Sequence, residues 1–163
     1  MHSLRSKQAG DTAPAPPVES TDGGNDRCAF TVLIPVYNEA SLLIPNTLKL
    51  LRFLVDNQLD GLIVIGSNGS TDATRACGEL LSGAFPDRVC FFHVERRGAV
   101  GEVFRRCAEK AQAAALICLD MDLSVDAGFI PDALDLLRAH AIVIGSKQSG
   151  SQSRSFSRLA GSA

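Results

Sequence analysis

Phe30-Thr31-Val32-Leu33-Ile34-Pro35-Val36-Tyr37-Asn38-Glu39 is the stretch that decides the fold. Its first five residues are β-branched or large and apolar, and Pro35 ends the run. That is the pattern of a strand buried on both faces, and Tyr37-Asn38-Glu39 beyond it reads as a turn. The same grammar recurs downstream. Residues 62–65 form an apolar run closed by Gly66-Ser67-Asn68-Gly69, and residues 89–94 form a third. Residues 116–119 run into Asp120-Met121-Asp122, and residues 141–144 into Gly145-Ser146-Lys147. The segments between them have helical spacing. One helix is expected from about Pro45, a residue suited to a first turn, with Leu48, Leu51, Leu54 and Val55 as its core face. A second is capped by Ser70, carries Asp72 in its first turn and runs to about Gly83. A third opens at Gly98-Ala99-Val100-Gly101 and reaches about Ala114, and a fourth spans about Phe129 to Ala139. Five short strands alternating with helices specify an α/β domain of three layers, α/β/α, with a mainly parallel sheet.

The remaining sequence sets the limits. The chain has 163 residues, which suits one domain, and its 45% hydrophobic and 21% charged residues are ordinary globular proportions. Residues 1–28 are rich in Ala, Pro, Gly, Ser and Asp and carry no apolar period, so a disordered tail is expected there and the domain over 29–163. A proline-directed partner segment within Ala13-Pro14-Ala15-Pro16-Pro17 is the alternative. Lys and Arg total 16 against 18 Asp and Glu, a net charge of −2 that argues against nucleic acid as a partner. The five cysteines, Cys28, Cys77, Cys90, Cys107 and Cys118, contain no C-x-x-C pair; Cys90 and Cys118 lie in apolar runs and read as small core residues. Their odd number, and the lack of an apolar run behind Met1–Lys7, point to a reducing, cytoplasmic compartment. No stretch reaches the roughly 18 apolar residues that span a bilayer.

In a parallel α/β sheet, ligands bind beyond the carboxyl ends of the strands. The polar signatures of this chain fall there. Asp120 and Asp122, flanking Met121, can share a hard cation such as Mg2+ or Mn2+, or simply be a solvated acidic turn. Gly69-Ser70-Thr71-Asp72 can present backbone N–H groups to a ribose or phosphate oxygen, or only cap a helix. Tyr37 can stack on a base or be a half-buried turn aromatic, and Glu39 can accept hydrogen bonds from a ligand or merely begin a helix. Lys147, Arg154 and Arg158 can meet a phosphate or belong to a solvated basic tail, and Arg96 and Arg97 carry the same ambiguity. His93 and His140 have no metal-ligand partner at suitable spacing and are assigned to structure.

These segments, in this order and spacing, resemble family 2 glycosyltransferases of the GT-A fold. The residues that carry the resemblance are Thr31–Glu39, Asn68-Gly69-Ser70-Thr71-Asp72-Ala73-Thr74, Asp120-Met121-Asp122-Leu123-Ser124 and Ile144-Gly145-Ser146-Lys147. Asp122-Leu123-Ser124, Phe129-Ile130-Pro131 and the Gly-Ser-Lys segment look most like the polyprenyl-phosphate (dolichyl-phosphate) mannosyl- and glucosyltransferase branch. The resemblance implies a Rossmann-like nucleotide-sugar-binding domain, a GDP-mannose or UDP-glucose donor, a divalent cation and a lipid-phosphate acceptor at the cytosolic face of a membrane. It implies that Pro35, Tyr37, Glu39, Asn68, Gly69, Ser70, Met121 and Lys147 line the donor site. Asp120 and Asp122 would hold the metal and diphosphate and be the catalytic pair, with Ser124 where some members add a ligand. Two departures stand out. Ser67-Asn68 replaces the acidic pair usual before Gly-Ser, and the family's catalytic domain normally continues beyond the length of this chain, which looks like a donor-binding part.

Two other readings compete. Leu119-Asp120-Met121-Asp122 also resembles the first motif of haloacid dehalogenase-like phosphatases, with Asp120 as nucleophile and Asp122 as acid/base. A donor-binding part alone can also be a non-catalytic nucleotide-binding or interaction module, its unpaired strand edges favouring association.

Overall fold

The computed structural model describes residues 28–98 and 100–145. Strand β1 (Phe30–Val36) leads to helix α1 (Ala40–Asp56), then β2 (Gly61–Asn68), α2 (Thr74–Ala84), β3 (Val89–Val94), α3 (Val100–Glu109), β4 (Leu116–Cys118) and α4 (Phe129–Leu137). The four strands form one parallel sheet in the order β3-β2-β1-β4. Thr31 of β1 lies opposite Leu62 on one side and Leu116 on the other.

The buried strand pattern follows from covering both faces of the sheet. Phe30, Val32, Ile34, Ile63 and Ile65 pack with Leu43, Leu50 and Leu54 of α1, Leu81 of α2 and Ile130 of α4. Leu33, Leu62 and Val64 point the other way, against Val103 and Cys107 of α3. Alternate residues of the same strand therefore serve opposite layers, as a period of two requires. Gly66 marks the closest approach of α3, since a Cβ there would overlap Val103 and Phe92. The chain builds outward from β1 to β2 and β3, then returns to place β4 on the far side of β1. Strand order reverses between β1 and β4, and a crevice opens at such a switch point beyond the carboxyl ends of the strands.

Several expectations are corrected. Helix α1 begins at Ala40, not Pro45, and Pro45 lies inside it. Its buried face is Leu43, Thr47, Leu50, Leu51 and Leu54, whereas Leu48 and Val55 are 42% and 60% exposed. Helix α3 is shorter than its apolar spacing implied, Val100–Glu109. Residues 141–144 are not a strand, and no element of the described residues covers Ile142 and Ile144, which are 72% and 54% exposed. Cys118 is exposed, on the uncovered face of β4 with Leu116, and Cys90 of the opposite edge strand β3 is half-buried. Cys107 is the buried cysteine, and burial pushes its thiol up to about 12. The expected N-terminal tail falls, apart from Cys28, outside the described residues.

Candidate donor-binding site at the strand ends

The carboxyl ends of β1 and β2 are tied together by side chains that stand in for missing backbone partners. Asn38 has φ 53°, a left-handed conformation that asparagine tolerates. Its backbone N–H donates to Ser70 Oγ at 3.0 Å, and its Oδ1 accepts from the Thr71 N–H at 2.8 Å. The Glu39 N–H donates to Thr74 Oγ1 at 2.9 Å and the Ala40 N–H to Asp72 Oδ2 at 3.2 Å. The first N–H groups of a helix have no intrahelical acceptor. Here the β2–α2 loop supplies acceptors for α1, which is why α1 starts early. Asp72 Oδ1 meanwhile accepts from the Thr74 N–H at 2.9 Å and from its hydroxyl, so one carboxylate serves the start of two helices. Those bonds, the Thr74 hydroxyl first, hold the Asp72 carboxyl below its ordinary value. Ser70 is not the cap of α2; Ala73 occupies that position.

The pair Ser67-Asn68 is consumed internally. Ser67 is fully buried, with its hydroxyl 2.9 Å from Ser70 Oγ and 3.0 Å from His93 Nδ1. Asn68 is 6% exposed; its Oδ1 accepts from the Gly98 N–H at 2.9 Å and its Nδ2 donates to the Gly98 carbonyl at 3.3 Å. Gly69 has φ 68°, and a Cβ there would overlap the Arg97 backbone. The loop after β3 is thereby drawn over the strand ends, and the Arg97 guanidinium carbon lies 4.1 Å from the centre of the Tyr37 ring.

Beyond β4, Met121 is buried while Asp120 and Asp122 are exposed on either side of it. Asn46 of α1 donates to the Met121 carbonyl at 2.8 Å, and Asp122 Oδ1 accepts from the Ser124 N–H at 2.9 Å. Leu123 takes φ 48° to make this turn. The Met121 side chain belongs to the core, so this residue can offer the crevice its backbone and an anchor for the flanking aspartates. Burial, then Asp122, Asp120 and Asp72 in that order, raises the Glu39 carboxyl above its ordinary value. The ends of β1, β2 and β4 thus share one acidic field.

Three of the four polar segments expected at this edge are therefore brought together, with Pro35 half-buried in β1 just below. Gly145 is off any strand, and Ser146 and Lys147 lie outside the described residues. Asn46, Arg97 as a ring partner, and the double role of Asp72 were not legible beforehand. An Asn two residues past a strand, followed by an acidic residue, was the one local hint of the tie at Asn38. Among the described residues no three His, Cys, Asp or Glu side chains are grouped so as to hold a metal ion. Two exposed carboxylates about a buried anchor instead fit a Mg2+ or Mn2+ that takes further oxygens from phosphates and water.

Residues 31–162 match the family model described as Glycosyl transferase family 2. Among solved structures, the mannosyltransferase PcManGT from Pyrobaculum calidifontis, in complex with GDP-Man and Mn2+, superposes with a TM-score of 0.53 at 22% identity. That match covers 81% of this chain and 35% of the mannosyltransferase, and it concerns the fold. S. aureus TarS, residues 1–349, matches with a TM-score of 0.43 at 18% identity, over 64% of this chain and 33% of TarS. The chain spans about a third of the length of either structure.

Proposed function

Because the chain belongs to glycosyl transferase family 2, we propose that it is the donor-binding part of a hexosyltransferase. The donor is a nucleotide sugar, GDP-mannose or UDP-glucose, and the acceptor is polyprenyl phosphate at the cytosolic face of a membrane. One observation carries the reading. Asp120 and Asp122 stand exposed at the switch point between β1 and β4, within the electrostatic reach of Glu39. A cluster of like charges at a strand-end crevice is costly unless a cation or a hydrogen-bonding ligand relieves it. The neighbouring mannosyltransferase, held with GDP-Man and Mn2+, is in keeping with this donor class.

In this reading Asp120 and Asp122 would hold the cation and orient the donor diphosphate, with Ser124 beside them. Bound there, Mg2+ or Mn2+ supplies charge neutralisation to the departing diphosphate. Pro35, Tyr37 and Glu39 line the nucleoside end, and Gly69 and Ser70 border it; Lys147, outside the described residues, is assigned to phosphate by the family resemblance alone. An acceptor phosphate oxygen attacks the anomeric carbon while the bond to the diphosphate oxygen breaks. The diphosphate leaves with the electron pair, and an anionic acceptor needs little help from a general base. No helix of the described residues is long and apolar enough to cross a membrane.

The test is titration calorimetry with GDP, UDP and their sugar conjugates, in Mn2+ and in chelator. Cation-dependent binding of one nucleotide, lost in Asp122→Ala, is expected. Folded chain that binds none of them overturns the reading. A second reading, nucleotide binding without transfer, is favoured by the uncovered outer face of β4. Transfer of sugar to a polyprenyl phosphate would reject it.

A further inference from the structure

Arg52, Arg75, Arg88, Arg105, Arg106 and Arg138 each pair with a carboxylate. Arg97 instead lies against the Tyr37 ring. Nothing about this stack is local. Tyr37 follows β1, Arg97 follows β3, and β2 runs between those strands. The end of β2 joins them: Asn68 grips both backbone groups of Gly98, and Gly69 leaves room for the Arg97 backbone. An aspartate at position 68 would still accept from the Gly98 N–H, but would turn a second oxygen toward the Gly98 carbonyl. The neutral amide suits this grip as no carboxylate does.

We propose that Arg97 is a donor-binding residue and that Asn68 positions it, the stacked guanidinium serving as a platform for a nucleoside diphosphate. At 4.1 Å the guanidinium already covers one face of the Tyr37 ring, so a base arriving from that side meets the cation rather than the phenol. The outer face of a guanidinium stacks on planar rings, and its N–H groups pair with phosphate oxygens. A cation here also offsets the field of Glu39, Asp120 and Asp122 toward an anionic ligand. The inference rests on the donor-site reading above and adds the residue that recognises the nucleotide from the β3 side.

The full chain allows a direct test, because Tyr37 is its one tyrosine. Incorporated 3-fluorotyrosine gives a single 19F resonance that reports the stack without ligand, while calorimetry with GDP, UDP and pyrophosphate in Mn2+ reports binding. Arg97→Ala should shift the resonance and weaken the nucleotide that the wild type binds by about tenfold. Arg97→Lys should recover pyrophosphate binding more than nucleotide binding, since ammonium carries the charge but not the plane. Asn68→Asp should lower the melting temperature, since a buried carboxylate then faces the Gly98 carbonyl, and below that melting temperature should move the resonance toward that of Arg97→Ala and weaken binding. Unchanged or tighter nucleotide binding in Arg97→Ala overturns the inference, as does a resonance indifferent to Asn68→Asp. Wild-type chain that binds no probe overturns the donor-site reading, and this inference with it; binding that Arg97→Ala leaves intact overturns the inference alone.

Discussion

Glu39 is a carboxyl whose ionisation the fold opposes. Its carboxyl is raised by partial burial and then by Asp122, Asp120 and Asp72. A carboxyl raised in the folded state gives its stabilisation in full below the unfolded value, near 4.3, and loses it as pH climbs through the folded value. At pH 7 the ionised Glu39 is therefore a liability that glutamine lacks. Glu39→Gln should melt higher than wild type at pH 7, with the gap closing toward pH 4, as followed by circular dichroism. A variant that melts no higher at pH 7 would show that the carboxylates do not strain one another. The local sequence could name Glu39 as a candidate. Its coupling to Asp120, some eighty residues away, needed the β1–β4 pairing.

At the scale of elements, the start of α1 depends on a loop thirty residues downstream. Asp72 caps α2 through Thr74 and also serves the Ala40 N–H. Asp72→Ala should cost about 1 kcal/mol at pH 7, the usual worth of a cap, measured by urea unfolding. Because the Asp72 carboxyl is depressed, its contribution is present above the unfolded value near 3.9 and is lost as pH falls through the folded value. The difference between variant and wild type should shrink over that acid range and hold steady from pH 5 to 7. Thr47 makes the opposite case. Its hydroxyl is buried in the core face of α1 and has no hydrogen-bond partner among the described residues. Removing a buried unsatisfied group while keeping its shape is favourable, so Thr47→Val should gain about 1 kcal/mol. A loss of stability in that variant would mean the hydroxyl is satisfied in solution. Helical spacing found α1 but put its beginning at Pro45, since proline is a first-turn signal only when no outside acceptor lets the helix start earlier. The expected Ser70 cap failed for a related reason: the hydroxyl is occupied by Asn38 and Ser67.

For the whole molecule, the decisive feature is unequal closure of the sheet. Among the described residues, β1 is paired on both sides, whereas β4 is an edge, with Leu116 and Cys118 exposed and Ile142 and Ile144 exposed beyond it. Uncovered apolar residues next to a strand edge favour pairing with another chain. Sedimentation velocity should show concentration-dependent association of this chain, reduced in an Ile142→Lys, Ile144→Lys double variant. Concentration-independent monomer in the wild type would show that this edge is inert. The apolar run at 141–144 looked like a fifth strand because periodicity records burial potential. Whether a partner covers the run is a tertiary question.

The alternation of short apolar strands with helices was enough to specify a parallel α/β sheet, because a strand buried on both faces must be apolar throughout and its neighbours must supply the cover. It was likewise enough to assign Tyr37-Asn38-Glu39, Ser67-Asn68-Gly69-Ser70 and Asp120-Met121-Asp122 to strand ends, although Ser67 and Asn68 are the last two residues of β2 rather than a loop beyond it. Which of these side chains remain available to a ligand was decided by tertiary structure. Ser67 and Asn68 are bound to His93 and Gly98, Asp72 to two helix starts, Met121 to the core and Asp122 to the Ser124 N–H, with Asp120 and Asp122 both exposed. A hydrogen-bonding group serves whichever partner the fold brings within 3 Å or so, and residues thirty to eighty positions apart become neighbours only when the strands pair.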